Sequence, residues 1–143
     1  MKLVVIGCGI AGINDIDKAR TLDKNLEIFA ADHKQRSDCQ ALYPEILSGK
    51  VKADETSFAI SKFTSKRGIE FINEKVTEIE LEEKVVLTAR GHIEFDYAIL
   101  ANGAIPNYYG ITGAANCYSV NTLEETLRTK EALAGIKSGD SIA

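Results

Sequence analysis

Three glycines near the start of the chain have the spacing of a phosphate-binding turn. Gly7, Gly9 and Gly12 lie in the stretch VVIGCGIAG. Gly7 permits the tight exit from a strand, Gly9 has no side chain to hold a pyrophosphate away, and Gly12 lets the next helix pack closely. The amino terminus of that helix offers free N–H groups and a partial positive charge to phosphates. This chemistry predicts dinucleotide binding.

An acidic residue follows at the distance expected for a ribose ligand. Asp32 lies 20 residues after Gly12, at the end of the second predicted strand. A carboxylate there accepts hydrogen bonds from both ribose hydroxyls and repels a 2′-phosphate, so NADP is disfavoured. The turn alone does not separate FAD from NAD. The alternative is a glycine-rich turn that binds nothing.

A βαβ unit is predicted to position these residues. The β-branched run Lys2–Ile6 predicts a strand, and Ile10–Leu22 has apolar residues at helical spacing. A turn then leads to a second predicted strand over Leu26–Ala31. The glycines therefore fall between the first strand and the helix, and Asp32 closes the second strand.

The middle of the chain is predicted to be less regular. A short helix is expected around Pro44 to Leu47. Asp54 has the residue type of a cap for a further helix, which would carry Phe58 and Phe63 on one face. A lysine, an arginine and Gly68 would end that helix.

The second half of the chain predicts short strands and a last helix. Four alternating segments indicate a small antiparallel meander: residues 69–73, 75–81, 84–89 and 92–95. The run Tyr97–Ala101 has the apolar composition of a parallel strand. Asn121 with Glu124 predicts a capping box for the last helix. The fold class expected is α/β: a Rossmann-like FAD/NAD(P)-binding domain with a central parallel sheet, helices and a three-stranded meander.

Composition argues against several classes of protein. The 143 residues suit one domain, and the net charge of −4 does not favour nucleic acid or an anionic membrane surface. No apolar run has the length of a membrane helix. The cysteines Cys8, Cys39 and Cys117 are widely spaced, without a C-x-x-C or zinc-like pattern, so neither a metal site nor a disulfide framework is expected. This usage favours a reducing, cytoplasmic location.

Five segments, in the expected order, give the chain a family resemblance: VVIGCGIAG, LYPEILSGKV, GIEFINEKVTEIE, FDYAILANGAIPNYYGITGA and NTLEETLRTKEAL. The chain resembles the N-terminal FAD-binding segment of the pyridine nucleotide–disulfide oxidoreductase superfamily. Its strongest likeness is to type II NADH dehydrogenases and related NADH oxidases. The resemblance implies FAD as the cofactor and NADH as co-substrate of a full-length parent.

The resemblance also implies roles for twelve residues. The FAD pyrophosphate would meet Gly7, Gly9, Gly12 and the backbone of Ile10 and Ala11. The adenosine ribose would meet Asp32, flanked by His33 and Lys34, and the adenine would meet the backbone N–H and C=O of Val76. The cofactor would also pass beside Ala101, Asn102 and Gly103, and Asn102 stands where the family usually has threonine. No catalytic residue is assigned in this chain.

The cysteines depart from the redox patterns of the family. Disulfide-reducing members have a C-x-x-x-x-C pair where this chain has only Cys39, and relatives with a single redox cysteine have it at the position of Ala41. Cys117 is one position away from a reactive cysteine of sulfide-oxidising relatives. Cys8 is expected to fill space within the turn. The resemblance therefore favours an enzyme that works without a protein disulfide.

The resemblance implies one segment of a larger flavoenzyme. Residues 1–143 would be its FAD-binding segment, truncated before an NAD(P)H-binding domain whose first strand would begin at 141–143. Electrons would pass from NADH through FAD to a quinone, oxygen or a small acceptor. The parent would be cytoplasmic, with peripheral attachment to the cytoplasmic membrane face left open. The chain alone is expected to be inactive and to form a homo-oligomer through an exposed sheet edge at Tyr97–Ala101.

Two alternatives stay open. The chain could be a stand-alone nucleotide-binding module without turnover, or the NAD-binding Rossmann domain of an ordinary dehydrogenase. The meander argues against the dehydrogenase, because a second βαβαβ half would be expected in its place.

Overall fold

A computed structural model describes residues 1–141 in two compact units. The first unit comprises Met1–Asp38 and Ser57–Gly103, and the second comprises Cys39–Thr56 and the described residues from 104 to 141. The strand predicted to begin at 141–143 falls largely on residues 142 and 143, which lie outside the described part.

Nine strands and four α-helices follow one another along the described residues. The strands are β1 (Lys2–Ile6), β2 (Glu27–Ala31), β3 (Arg36–Asp38), β4 (Ser57–Ala59), β5 (Glu70–Ile72), β6 (Val76–Glu80), β7 (Val85–Thr88), β8 (His92–Glu94) and β9 (Tyr97–Leu100). The helices are α1 (Ile10–Leu22), α2 (Tyr43–Leu47), α3 (Ile60–Ser65) and α4 (Leu123–Ala134). The predicted βαβ unit is confirmed.

A four-stranded parallel sheet forms the centre of the first unit. Its strand order is β5-β2-β1-β9, and Val4 of β1 lies between Phe29 of β2 and Ala98 of β9. The chain therefore builds outward from β1 to β2 and β5, then returns to the other side of β1. Ligands of such sheets bind at this reversal point, beyond the carboxyl ends of the strands. The glycine turn follows β1 at this point.

Both faces of the sheet are covered, which explains the unbroken apolar run of β1. Leu3 and Val5 belong to a core cluster that includes Ile16 of α1 and Ile60 of α3. Val4 and Ile6 belong to a second cluster, with Val86, Ile93 and Phe95 from the meander and the residue after it. A strand buried on both faces needs apolar residues at successive positions rather than alternating ones.

The strand at 70–72 corrects one prediction. Residues 69–73 were expected in the antiparallel meander, but β5 pairs in parallel with β2, with Ala30 opposite Phe71. The meander consists of β6, β7 and β8 in antiparallel order. A strand of three residues has too few positions for its side-chain pattern to show which sheet it joins.

The predicted helix cap at Asp54 is wrong. Asp54 lies in a short 3-10 helix over Ala53–Thr56, and the residue that caps α3 is Ala59, which supplies no side-chain hydrogen bond. Phe58 lies in β4, which pairs in antiparallel fashion with β3. An acidic residue before an apolar stretch fits a 3-10 turn as well as a cap, so its type alone did not distinguish them.

One edge of the parallel sheet is unprotected within the described residues. β9 pairs with β1 on one side, and no other strand of residues 1–141 pairs with it. Tyr97 and Leu100 are 63% and 64% exposed. The prediction that Tyr97–Ala101 forms an exposed edge is confirmed, and the strand ends one residue earlier, at Leu100.

The second unit is built on α2 packed against α4. The predicted capping box of the last helix is present but starts one residue later, at Thr122. Thr122 Oγ1 accepts from the Glu125 N–H at 3.2 Å, and Glu125 Oε2 accepts from the Thr122 N–H at 2.9 Å. Asn121 instead donates its side-chain amide to the Ala104 carbonyl at 3.1 Å. Both residue types suit a cap, so the prediction of Asn121 and Glu124 was wrong by one position.

Candidate functional site

Gly7 makes the tight exit from β1 into the turn. Its φ of +96° lies in the region that glycine adopts without strain. A Cβ at this position would also meet the backbone of Ala101 and lie 2.8 Å from the Cα of Asn102. The Gly7 N–H donates to the Ala31 carbonyl at 2.8 Å. The end of β1 is thus tied to β2 and touches the chain leaving β9.

Gly12 and Gly9 have different surroundings. A Cβ on Gly12 would overlap the Gly7 carbonyl oxygen, so glycine is needed there for packing. A Cβ on Gly9 would have no heavy atom within 4 Å, and its φ of −72° suits any L-residue. The protein itself therefore does not require glycine at position 9. The open space beside Gly9 fits the predicted approach of a pyrophosphate.

The start of α1 leaves backbone donors available. Gly9 is the N-cap and supplies no side-chain cap, and the first turn contains no acidic residue. The Ile13 N–H donates to the Gly9 carbonyl at 3.0 Å, so the earlier N–H groups of the helix precede the intrahelical ladder. Ile10 and Ala11 are exposed. These donors suit an anion, as the sequence predicts.

Asp32 holds the glycine turn through its side chain, in addition to its predicted role at the ribose. Its Oδ2 accepts from the Cys8 N–H at 2.7 Å and its Oδ1 from the Lys34 N–H at 2.8 Å. The His33 ring nitrogen Nδ1 lies 3.4 Å from Oδ1, and the Asp32 side chain is 12% exposed. A carboxylate has about four acceptor positions, so capacity for ligand hydroxyls remains. The bond to the turn was not anticipated from the sequence.

Asn73 is a site residue that the sequence analysis missed. Its Nδ2 donates to the Asp32 carbonyl at 2.9 Å and to the Lys34 carbonyl at 3.1 Å. It follows β5 directly, and the Asp32 N–H donates to the carbonyl of Ile72 at 3.1 Å. If residues 69–73 had been predicted as a strand beside β2, Asn73 would have been expected near Asp32, at the carboxyl ends of the strands.

The remaining predicted residues lie at the same end of the sheet or on the meander. Ala101 donates its N–H to the Ile6 carbonyl at 2.7 Å, which places Asn102 and Gly103 next to the glycine turn. Asn102 and Gly103 are exposed. Val76 is the first residue of β6 and packs against the cluster that contains Ile6. The adenine role of Val76 stays a prediction.

The cysteines are free thiols with different exposure. Cys8 is buried, Cys39 is half-buried and Cys117 is exposed. Burial, with the charge of Asp32 as a smaller cause, raises the pKa of the Cys8 thiol to about 12. Cys8 therefore remains a neutral thiol that fills space, as predicted. No group of three or more potential metal ligands occurs within residues 1–141.

Comparison with known proteins agrees with this geometry. The sequence pattern of the family described as pyridine nucleotide-disulphide oxidoreductase matches residues 1–140. The chain belongs to this family. Its members are FAD-dependent oxidoreductases. The family resemblance that the five sequence segments indicated is therefore confirmed.

Two curated relatives show the range of similarity. The chain is 32% identical over 133 residues to the sulfide-quinone reductase of Aquifex aeolicus (strain VF5), covering 92% of this chain and 31% of that protein. It is 27% identical over 117 residues to a type II NADH:quinone oxidoreductase of Staphylococcus epidermidis, covering 78% of this chain and 28% of that protein. The chain therefore spans less than a third of the length of these relatives.

Solved structures confirm the fold class. The crystal structure of the Aquifex aeolicus sulfide:quinone oxidoreductase superposes with a TM-score of 0.86 at 30% identity, covering 93% of this chain and 31% of that one. An NAD-dependent persulfide reductase of A. fulgidus shares the fold, with a TM-score of 0.80 at 24% identity, over 94% of this chain and 27% of that one. The α/β, Rossmann-like prediction is confirmed.

The residues of the site fit the pyrophosphate and the adenosine ribose of an FAD group, which NAD also contains. The glycine turn, the uncapped start of α1 and the acceptor capacity of Asp32 suit a pyrophosphate joined to a ribose.

The longest helix described, α1, has 13 residues. No helix within residues 1–141 combines the length and apolar character needed to cross a membrane.

Proposed function

We propose that this chain is the FAD-binding portion of an NAD(P)H-dependent flavoprotein oxidoreductase. The observation that carries the proposal is the contrast between Gly12, which packs against the Gly7 carbonyl, and Gly9, which faces open space. A turn built only for packing would not need the second glycine. Asp32 at the adjoining strand end supports a ribose next to the pyrophosphate.

Each group has a defined task in this proposal. The N–H groups of Gly9, Ile10 and Ala11 bind the pyrophosphate, and Asp32 orients the adenosine ribose. The exposed backbone after β9, at Asn102 and Gly103, passes beside the cofactor. Bound FAD supplies hydride acceptance and onward electron transfer. The protein contributes binding and orientation, and Asp32 repels the 2′-phosphate of NADP.

The electron donor and acceptor are proposed from the relatives. Type II NADH:quinone oxidoreductases favour NADH as the donor and a quinone as the acceptor, with oxygen or a small acceptor as further choices. This chain matches less than a third of each relative, and we propose that the NADH and acceptor sites correspond to the parts of the relatives that it does not match. The three free cysteines support a reducing, cytoplasmic location for the parent.

Sulfide is a second candidate donor. Identity to the sulfide-quinone reductase is 32%, against 27% for the NADH:quinone oxidoreductase, and the Cys117 thiol is exposed. Anaerobic mixing of the longer parent with NADH or with sulfide distinguishes the two, because the true donor bleaches the flavin absorbance. NADH is the expected donor, and bleaching by sulfide alone would replace it.

Calorimetric titration of the chain with FAD, NAD and NADP tests the cofactor. FAD is expected to bind most tightly, and tighter binding of NADP would overturn the proposal. Asp32→Ala should weaken FAD by about 1–3 kcal/mol, because a charged acceptor is lost. Asp54→Ala, which removes the same charge from the second unit, is the control and should bind as the unmodified chain does.

We further propose that the chain alone neither oxidises NADH nor retains FAD on purification. The unpaired N–H and C=O groups on the free edge of β9 can also pair with a second copy of the chain. Protein that is purified yellow and monomeric would instead favour a complete, stand-alone binding module.

A further inference from the structure

The segment Asp32–Lys34 is held at both ends by one side chain. Asn73 Nδ2 donates to the carbonyls of Asp32 and Lys34, at 2.9 and 3.1 Å, so its two amide protons bridge the residues on either side of His33. Within the segment, the Lys34 N–H donates to Asp32 Oδ1 at 2.8 Å. The Asn73 amide and the Asp32 carboxylate therefore both hold the segment Asp32–Lys34.

Three strand ends meet through these contacts. Asp32 Oδ2 accepts from the N–H of Cys8 in the glycine turn. The Asp32 N–H donates to Ile72 at the end of β5, and Asn73 follows immediately. The position of the Asp32 carboxylate thus depends on β1, β2 and β5 together. Asn73 is the side chain that fixes the backbone of Asp32 in that arrangement.

We infer that Asn73 is a positioning residue for recognition of the adenosine ribose. Asn73 acts through the backbone of Asp32 and Lys34, not through a contact of its own with the ligand. Without the amide, two carbonyls lose their donor and the segment gains freedom, so the Asp32 carboxylate no longer meets the ribose hydroxyls in one geometry. The inference rests on the proposed FAD site.

The test measures hydroxyl discrimination rather than affinity alone. ADP and 2′-deoxy-ADP are titrated into the 143-residue chain, and the ratio of their dissociation constants reports the contact to the 2′-hydroxyl. We expect ADP to bind about tenfold more tightly in the unmodified chain. Asn73→Ala should bring the ratio close to one, while thermal unfolding confirms that the variant is folded.

A matched control separates positioning from general destabilisation. Gln40→Ala removes another long-range amide-to-carbonyl bond, from Gln40 Nε2 to the Asn121 carbonyl at 2.9 Å, within the second unit. It should keep the tenfold ratio. If Asn73→Ala does not fold, Asn73→Asp serves instead, because it keeps the shape and replaces the donor by an acceptor.

The outcomes are distinct. A folded Asn73 variant that still discriminates tenfold between ADP and 2′-deoxy-ADP overturns the positioning role and leaves the FAD site standing. Failure of the unmodified chain to bind ADP overturns the proposed function and this inference with it. A ratio near one in the unmodified chain removes the ribose role of Asp32.

Discussion

At the residue scale, the glycine turn separates two reasons for having glycine. Gly12→Ala would place a Cβ against the Gly7 carbonyl oxygen, so we expect a loss of about 1–3 kcal/mol in the free energy of unfolding. Gly9→Ala meets no atom and keeps an allowed φ, so its stability should be unchanged or slightly higher. Urea unfolding of both variants measures the difference.

The same pair should behave differently toward a ligand. Gly9→Ala should weaken ADP binding despite its stability, because the methyl group takes the space beside the pyrophosphate. A Gly9→Ala variant with native affinity would show that the phosphates bind elsewhere. A Gly12→Ala variant as stable as the unmodified chain would show that the turn can move away from the helix.

Cys8 links stability to high pH. Its pKa is about 12 in the folded chain, against an ordinary value of 9.0, so the folded state binds this proton more tightly than the unfolded state does. The stability that the folded state gains from this tighter proton binding is fully present below pH 9. It is lost progressively as the pH rises from 9 to 12. We expect Cys8→Ala to lose less stability over this range, as followed by urea unfolding.

Exposed Cys117 provides the control for that experiment. Cys117→Ala removes a thiol from the surface and should follow the pH curve of the unmodified chain. Parallel curves for Cys8→Ala and the unmodified chain would contradict the assignment of the slope to the buried thiol.

At the scale of elements, Thr122 determines where α4 begins. Thr122→Ala removes the hydroxyl that accepts from the Glu125 N–H, and we expect the helix to lose about 1 kcal/mol. Hydrogen–deuterium exchange of the α4 amides should be faster by the factor that corresponds to this loss of helix stability. Thr122→Ser retains the acceptor and should exchange at nearly the native rate. Equal exchange in the two variants would argue against the capping box.

The elements nearest the glycines could be predicted closely from the sequence. The bounds of β1 and α1 agree with the prediction, and β2 begins one residue later than expected. Their signals are local: a β-branched run, helical spacing of Ile13 and Ile16, and turn residues between. The residues of the turn were found for the same reason, since glycine spacing depends on neighbouring positions only.

The contacts around Asp32 could not be predicted in this way. The membership of β5 in the parallel sheet depends on pairing with β2, about 40 positions away along the chain, and its three residues are too few to show a periodicity. Asn73 was overlooked because its importance depends on that pairing. The second role of Asp32, accepting from Cys8, likewise depends on how two strand ends meet.

At the scale of the whole molecule, the free edge of β9 predicts self-association. Tyr97→Lys places a charge on this edge, and charged residues are a usual protection of edge strands. We expect the unmodified chain to form dimers or larger species by light scattering, and Tyr97→Lys to shift them toward monomer.

A variant in the meander controls for the loss of apolar surface. Leu81 is 74% exposed, slightly more than Tyr97, and lies outside every strand. Leu81→Lys should leave the association unchanged, because the residue lies off the sheet edge. An equal effect of both substitutions would assign the association to general hydrophobicity instead of strand pairing.

The contrast between Gly9 and Gly12 also bears on natural selection. A lineage that stopped using a nucleotide would still need Gly12 to fold, whereas Gly9 would be released and would drift to alanine or serine without harm to the fold. Natural variation at position 9 therefore records whether ligand binding is still maintained, independently of whether the protein is still made. In this chain, position 9 is glycine.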